Sequence, residues 1–279
     1  MENIKFSVSM CVYGGDDPLW FKTAVDSILN QTEAPSEVVL VVDGPVPEQL
    51  DAVITEYAKI PIFKIIRFEE NRGHGDARRA GLEACENELV ALMDADDISV
   101  NDRFEKQISR FAAEPELDIV GGNINEFIGA EDNVVAKRIV PCDDKEIKQY
   151  MKKRCPMNQM TVMFKKSSVD SVGGYVDWYC DEDYYLWLRM ALADMKFANV
   201  DDVLVNARVG ADMYNRRGGL RYFKSEAKLQ KYMLDNKVIG FGTYCVNVLK
   251  RLIVQVLLPN RIRGWVFKKF ARKSVDNNG

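Results

Sequence analysis

Three carboxylates crowd into four positions of the segment ALMDADDIS, at Asp94, Asp96 and Asp97, directly behind a strand-like apolar run. Like charges that close repel one another, so the cluster calls for a positive partner. Aspartates in loops also cap helices, a reading open to Asp97 and Asp102. It fits Asp94 and Asp96 poorly, because they lie on the strand end itself. A divalent cation suits them better: Mg2+ or Mn2+ takes one or two protein carboxylates and completes its shell with substrate phosphates. A second acidic pair, Glu182-Asp183, opens the apolar segment EDYYLWLRMALA. It either complements a helix dipole or supplies a proton acceptor. An aspartate set against Tyr184, Tyr185 and Trp187 is partly desolvated, and its proton affinity rises.

The rest of the chain narrows the chemistry to carboxylates. His74 is the only histidine, which comes close to excluding Ser-His-Asp catalysis and histidine-rich metal sites. Six cysteines (Cys11, Cys85, Cys142, Cys155, Cys180, Cys245) are scattered without a C-x-x-C pair, pointing to a reduced cytosolic setting and no structural zinc. The start, MENIKFSVSMCVYGG, runs straight into a strand pattern and does not read as a signal peptide. Net charge is −4, but from Asn236 to Val275 there are nine Lys or Arg and no acid, so the remaining 29 basic and 42 acidic residues carry −13. An acidic body with a basic tail implies no nucleic-acid partner for the body.

These residues need elements to position them. FSVSMCVY, EVVLVVDG, FKIIRF and ELVALMD read as strands, separated by helices from about Pro18, from Glu48 to Ala58 and from Gly75 to Cys85. Four successive β-α units predict a doubly wound, mostly parallel sheet with right-handed crossovers. Ligands gather beyond the carboxyl ends of such strands. Asp43 ends the second strand and Asp94 the fourth, so both should face one crevice. Later come a helix at RFEKQISRFAA, strands at DIVGGNINEFIG, NVVAKRIV and VLVNARVG, a helix at about 144 to 153 and one spanning EDYYLWLRMALA. His74, between Gly73 and Gly75, reads as a loop residue, and Cys180 as a packing residue. Arg208, Arg216 and Arg217 read either as a diphosphate clamp on a segment hinged at Gly210, Gly218 and Gly219, or as a solvated basic loop.

The ordered set SVSMCVY, VVDG, NRGHGDARRAGL, MDADD and CDEDYYLWLR resembles the family-2 glycosyltransferases of the GT-A fold, over roughly residues 5 to 210. The resemblance implies an α/β catalytic domain over 1–215 and a C-terminal helical, basic amphipathic extension over 216–279. It implies an inverting enzyme that moves a sugar from a nucleotide diphosphate, expected to be UDP, to a hydroxyl acceptor. Mn2+ or Mg2+ would be the cofactor. By the family's motifs, Asp183 would be the general base, Asp43 would contact the base of the nucleotide, and Val12 and Tyr13 would line its pocket. Asp94 and Asp96 would hold the ribose side and the metal, with Asp97 auxiliary. Arg78 or Arg79 would lie near the nucleotide.

The tail suggests where such an enzyme works. Tyr244 to Leu258 is apolar, interrupted by Lys250-Arg251 and ended by Pro259, too short to span a bilayer. It either packs on the body or lies on an anionic membrane surface, with Trp265, Phe267 and Phe270 as interfacial anchors. Membrane attachment suits a lipid-linked or growing surface saccharide as acceptor and a peripheral place at the inner face of the cytoplasmic membrane. A nicotinamide dehydrogenase is excluded because CVYGGDDPLWF lacks G-x-G-x-x-G and places Asp16-Asp17 where a pyrophosphate would sit. A catalytically idle nucleotide-sugar-binding scaffold at the membrane is the competing reading.

Overall fold

The computed structural model describes residues 4–210 and 218–258. Its sheet begins with β1 (Phe6–Tyr13), β2 (Glu37–Asp43), β3 (Phe63–Arg67) and β4 (Leu89–Met93). These four are mutually parallel in the order β3-β2-β1-β4. The connecting helices are α1 (Pro18–Leu29), α2 (Glu48–Tyr57) and α3 (His74–Ala84). Each starts within a residue of its expected place. At α1, the Asp17 carboxylate accepts the N–H groups of Leu19 and Trp20, and Pro18 supplies a preset first turn.

Alternation along the strands divides the interior in two. Val8, Met10 and Val12 of β1 and Ala91 and Met93 of β4 face the core formed with α1 and α2. Val90 and Leu92 face the other core, which contains Leu82 of α3. Helix α3 packs close to β1: a Cβ on Gly81 would come within 2.6 Å of Ser9 Oγ.

The second half departs from the parallel pattern. It comprises β5 (Ile98–Ser99), α4 (Arg103–Ala113), β6 (Ile119–Phe127), β7 (Val134–Arg138), α5 (Asp144–Met151), β8 (Met163–Lys165), α6 (Lys166–Ser171), α7 (Glu182–Leu192) and β9 (Phe197–Arg208). The sheet continues from β4 as β8-β6-β9-β5, with β7 beside β6. Strand β8 runs antiparallel to both β4 and β6, whereas β6 and β9 are parallel. The sheet is therefore mixed. Strands β5 and β8 have two and three residues, too short to show a period.

Two helices follow, α8 (Leu220–Asp235) and α9 (Phe241–Arg251), and α9 passes into a π-helical turn, Leu252–Leu257. Leu229 and Met233 of α8, with Ile239 after it, are buried in the second core beside Trp187 of α7. The start of the C-terminal stretch is thus seated on the α/β body through apolar contacts.

Candidate active site

Register brings the carboxyl ends of the first strands together. Tyr13 stands opposite Asp43 across β1 and β2, and Met10 opposite Met93 across β1 and β4, which sets Asp94 beside Cys11. Asp43 is buried. Its two oxygens accept the backbone N–H groups of Arg72, at 2.7 Å, and Gly73, at 3.1 Å. Asn71 Nδ2 donates to the Asp43 carbonyl at 3.1 Å. Gly44 has φ +87°, and a Cβ there would lie 2.6 Å from the Asn71 nitrogen. Only glycine lets the β2 end approach this loop so closely. Asp43 therefore holds the entry to α3, a task the sequence alone does not reveal.

Arg78, on α3, is only 1% exposed and pairs with Asp94. Burial is the largest influence and would lower its proton affinity, but the charges of Asp94, Cys11, Tyr175 and Glu182 together outweigh it and raise the value. Its Nε and Nη1 atoms are buried with no hydrogen-bond partner. Unmet buried donors are costly, so a ligand or water at that position is favoured. Arg79 instead faces outward and pairs with Asp76. Of the two arginines, Arg78 is the one whose side chain turns inward.

Behind Asp94, Asp97 is buried and accepts the Arg208 N–H at 2.8 Å. Burial, then the Asp96 and Asp94 charges, push its carboxyl well above the usual range. Asp16 is pushed up to about 6 by burial, with the Asp96 and Asp94 charges adding to it, against the Tyr13 N–H bond. The acidic crowding read in the sequence is real in space.

Among the described residues no three His, Cys, Asp or Glu side chains stand together as a ready metal cage. Asp94 is engaged by Arg78, and Asp97 by the backbone of Arg208. Asp96 lies between them in the triplet, and its charge acts on both Asp97 and Asp16. One carboxylate amid excess negative charge fits a hard ion whose other ligands are water and diphosphate oxygens.

Asp183 lies in the first turn of α7. Its Oδ1 accepts the Tyr184 N–H at 2.6 Å, and Cys155 Sγ is 3.9 Å from Oδ2. Burial pushes its carboxyl up to about 6, and the Glu182 charge adds to this. The Tyr184 N–H, Arg138 and Arg78 oppose the rise. Arg78 thus lies within electrostatic reach of Asp94 on one side and of Glu182 and Asp183 on the other. The two acidic segments therefore approach one buried guanidinium.

His74 is the residue that sequence reasoning passed over. It is the first residue of α3, and its Nδ1 lies 2.8 Å from Glu182 Oε1. Burial would raise the Glu182 carboxyl, yet the His74 contact holds it below its ordinary value. The loop is close here too, since a Cβ on Gly75 would sit 3.2 Å from the Asp177 Cα. A glycine-flanked histidine ahead of a helix was the available signal.

Several expectations need correction in detail. The Val12 side chain is buried in the first core, so only its main chain can line a pocket. Tyr13 is exposed at the strand end and free to offer its ring. Arg208 is held by the structure itself: Nε donates to the Asp96 carbonyl at 3.1 Å and Nη1 to the Gly129 carbonyl at 3.0 Å. Its guanidinium stacks on both Trp20 and Phe127, with 4.6 Å to each ring. That arrangement fixes the loop bearing Asp96 instead of freeing a clamp. Cys180 is exposed, with φ 59°, and does not pack inside. Arg216, Arg217, Trp265, Phe267 and Phe270 lie outside the described residues.

A mixed sheet with acidic loops gathered at the carboxyl ends of its parallel strands, facing a carboxylate-bearing helix, is the framework of a GT-A nucleotide-sugar transferase. Comparison with known proteins agrees: residues 7–172 match the family description "Glycosyl transferase family 2". The chain belongs to that family. It is 40% identical over 275 residues to an "Uncharacterized glycosyltransferase" of Haemophilus influenzae, covering 97% of this chain and 100% of that one. It is 35% identical over 270 residues to an Escherichia coli "UDP-Gal:alpha-D-GlcNAc-diphosphoundecaprenol beta-1,3-galactosyltransferase", covering 96% and 97%. Among solved structures, the mannosyltransferase PcManGT from Pyrobaculum calidifontis, in complex with GDP-Man and Mn2+, superposes with TM-score 0.62 at 14% identity, covering 93% of this chain and 71% of that one. The chain also spans 44% of the longer S. aureus TarS, covering 90% of this chain at TM-score 0.60 and 17% identity. These structural likenesses establish the shared GT-A fold.

Proposed function

We propose that this glycosyltransferase moves a hexose from a UDP-sugar to a hydroxyl of a lipid-linked saccharide, with inversion at the anomeric carbon. The observation that supports this reading is Arg78, which pairs with Asp94 and lies within electrostatic reach of Asp183. Similarity to the E. coli enzyme supports the choice of donor and acceptor class, and the β-1,3 linkage in that enzyme's name is compatible with inversion of an α-linked donor.

In this reading Asp183 takes the proton from the acceptor hydroxyl as its oxygen attacks the anomeric carbon. The bond to the diphosphate breaks on the opposite side. A carboxyl near 6 is mostly ionised at neutral pH yet basic enough to accept a proton in the transition state. Asp96 would hold the divalent ion, which when bound neutralises charge on the departing diphosphate. Arg78, through its unpartnered Nε and Nη1, supports the donor side of the cleft. Asp43 keeps the 71–73 loop closed over the end of β2. A lipid-linked acceptor places the reaction at a membrane, so the reading includes a peripheral position at the inner face of the cytoplasmic membrane.

The test is transfer from a panel of nucleotide sugars to a synthetic polyprenyl-diphosphate saccharide, with and without Mn2+, and NMR of the product's anomeric configuration. A β-linked product formed from a UDP-hexose only in the presence of the ion supports the proposal. A retained anomeric configuration, or UDP binding with no transfer to any acceptor, overturns it. The latter result would favour an idle binding scaffold.

A further inference from the structure

Helix α9 and the π-helical turn after it are built inside out. Surface helices ordinarily turn apolar side chains toward the protein and polar ones toward water. Here the buried positions are Asn247 and Gln255, 6% and 4% exposed. Asn247 Nδ2 donates to the Lys152 carbonyl at 3.0 Å and to Gln230 Oε1 at 2.8 Å. Gln255 donates to the Glu226 carboxylate. Arg251 Nε lies 3.0 Å from Glu226 Oε2, and its Nη2 donates to the Lys153 carbonyl at 3.2 Å. The outward positions are Phe241, Val246, Leu249, Ile253 and Leu257, each 41% to 71% exposed. Their spacing of three to five residues keeps them on one stripe. A polar seam fastens this helix down, and an apolar stripe is presented outward. A contiguous apolar face of this kind marks a contact surface.

We infer that this face seats the enzyme on a bilayer containing anionic lipid. Charge decides among occupants. From Asn236 to Val275 the sequence has nine basic residues and no acidic one, on a protein otherwise at −13. A second copy meeting this face symmetrically would set Lys250 and its basic neighbours against themselves. The 21 residues from Pro259 onward carry six of those nine basic residues, the same sign as the surface they would have to cover. Anionic headgroups complement both. No described helix is long and apolar enough to cross a membrane, so the apolar side chains enter only the headgroup and acyl boundary while the helix lies in its plane.

Glu226, which anchors Arg251 and Gln255, lies beside the buried Asp181, two residues before Asp183. The face and the proposed base are therefore joined through one polar junction. The biological purpose rests on the lipid-acceptor reading, but the contact itself does not.

The test uses the full chain and the double variant Leu249→Ser, Ile253→Ser, sedimented with phosphatidylglycerol–phosphatidylcholine vesicles and with phosphatidylcholine alone. The native chain is expected to bind the anionic vesicles more tightly than the neutral ones. The double variant should bind them at least about tenfold more weakly, since two exposed apolar side chains no longer leave water. Its melting temperature and UDP affinity should be unchanged. Equal binding by the variant, or no vesicle binding by the native chain, overturns the inference. So does a native dimer that the variant dissociates, which would make a second copy the occupant. Vesicle binding without transfer to a lipid-linked acceptor would sink the acceptor reading and leave this one standing.

Discussion

His74 Nδ1 stands 2.8 Å from Glu182 Oε1, tying the first residue of α3 to the residue beside the proposed base. The contact matters electrostatically, because Glu182 is the charged neighbour that most raises the Asp183 carboxyl. Removing the Glu182 charge should therefore lower the Asp183 value. In Glu182→Gln, the acid limb of the kcat/KM profile is expected to move to lower pH. A limb that moves upward, or stays in place, would show that the activity reports another group.

The raised Asp183 carboxyl predicts a pH-dependent trade between activity and stability. Its folded value, about 6, exceeds the ordinary 3.8, so the native state binds the proton more tightly than the unfolded state. The ionised group therefore costs stability, and the cost grows as pH rises from about 4 through about 6. Asp183→Asn keeps the acceptor for the Tyr184 N–H and loses the charge. It should be more stable than the native protein by about 1–3 kcal/mol above neutral pH. Below about pH 4, where both states are protonated, the gain should vanish. Thermal melts at the two ends of this range would check it.

The buried Arg78–Asp94 pair gives a stability prediction of opposite sign. Asp94→Ala leaves a guanidinium that is 1% exposed without its countercharge. Breaking one side of a buried pair costs about 3–5 kcal/mol. Replacing both partners together, as Arg78→Met with Asp94→Leu, should recover much of that loss while abolishing UDP binding. Denaturant melts and UDP titration on the three variants separate the structural part from the binding part. A double variant that still binds UDP normally would remove Arg78 from the donor site.

Much of this architecture is legible in the chain. EVVLVVD reads as a strand buried on both faces, and both of its faces meet core residues. RFEKQISRFAA reads as a helix, and α4 has those bounds. The acidic cluster and the Asp183 segment also come within electrostatic reach of one buried guanidinium. What the sequence hides is pairing across distance. Nothing local in NRGHGD says that His74 will meet a glutamate 108 residues later. Nor does NAR say that Arg208 will stack between Trp20 and Phe127. The short strand β8, which turns the sheet antiparallel, has no period to read. Likewise, the polarity of α9 looks like a plain amphipath until its buried side proves to be the polar one.

The central claim is that Asp183 performs chemistry while the Asp94–Asp97 loop and Arg78 hold the sugar donor. Asp183→Asn, assayed in parallel for transfer and for UDP affinity in Mn2+, tests it most directly. The account predicts transfer reduced by about a thousandfold or more, with the Kd for UDP within about twofold of native. Near-native turnover in that variant would contradict it.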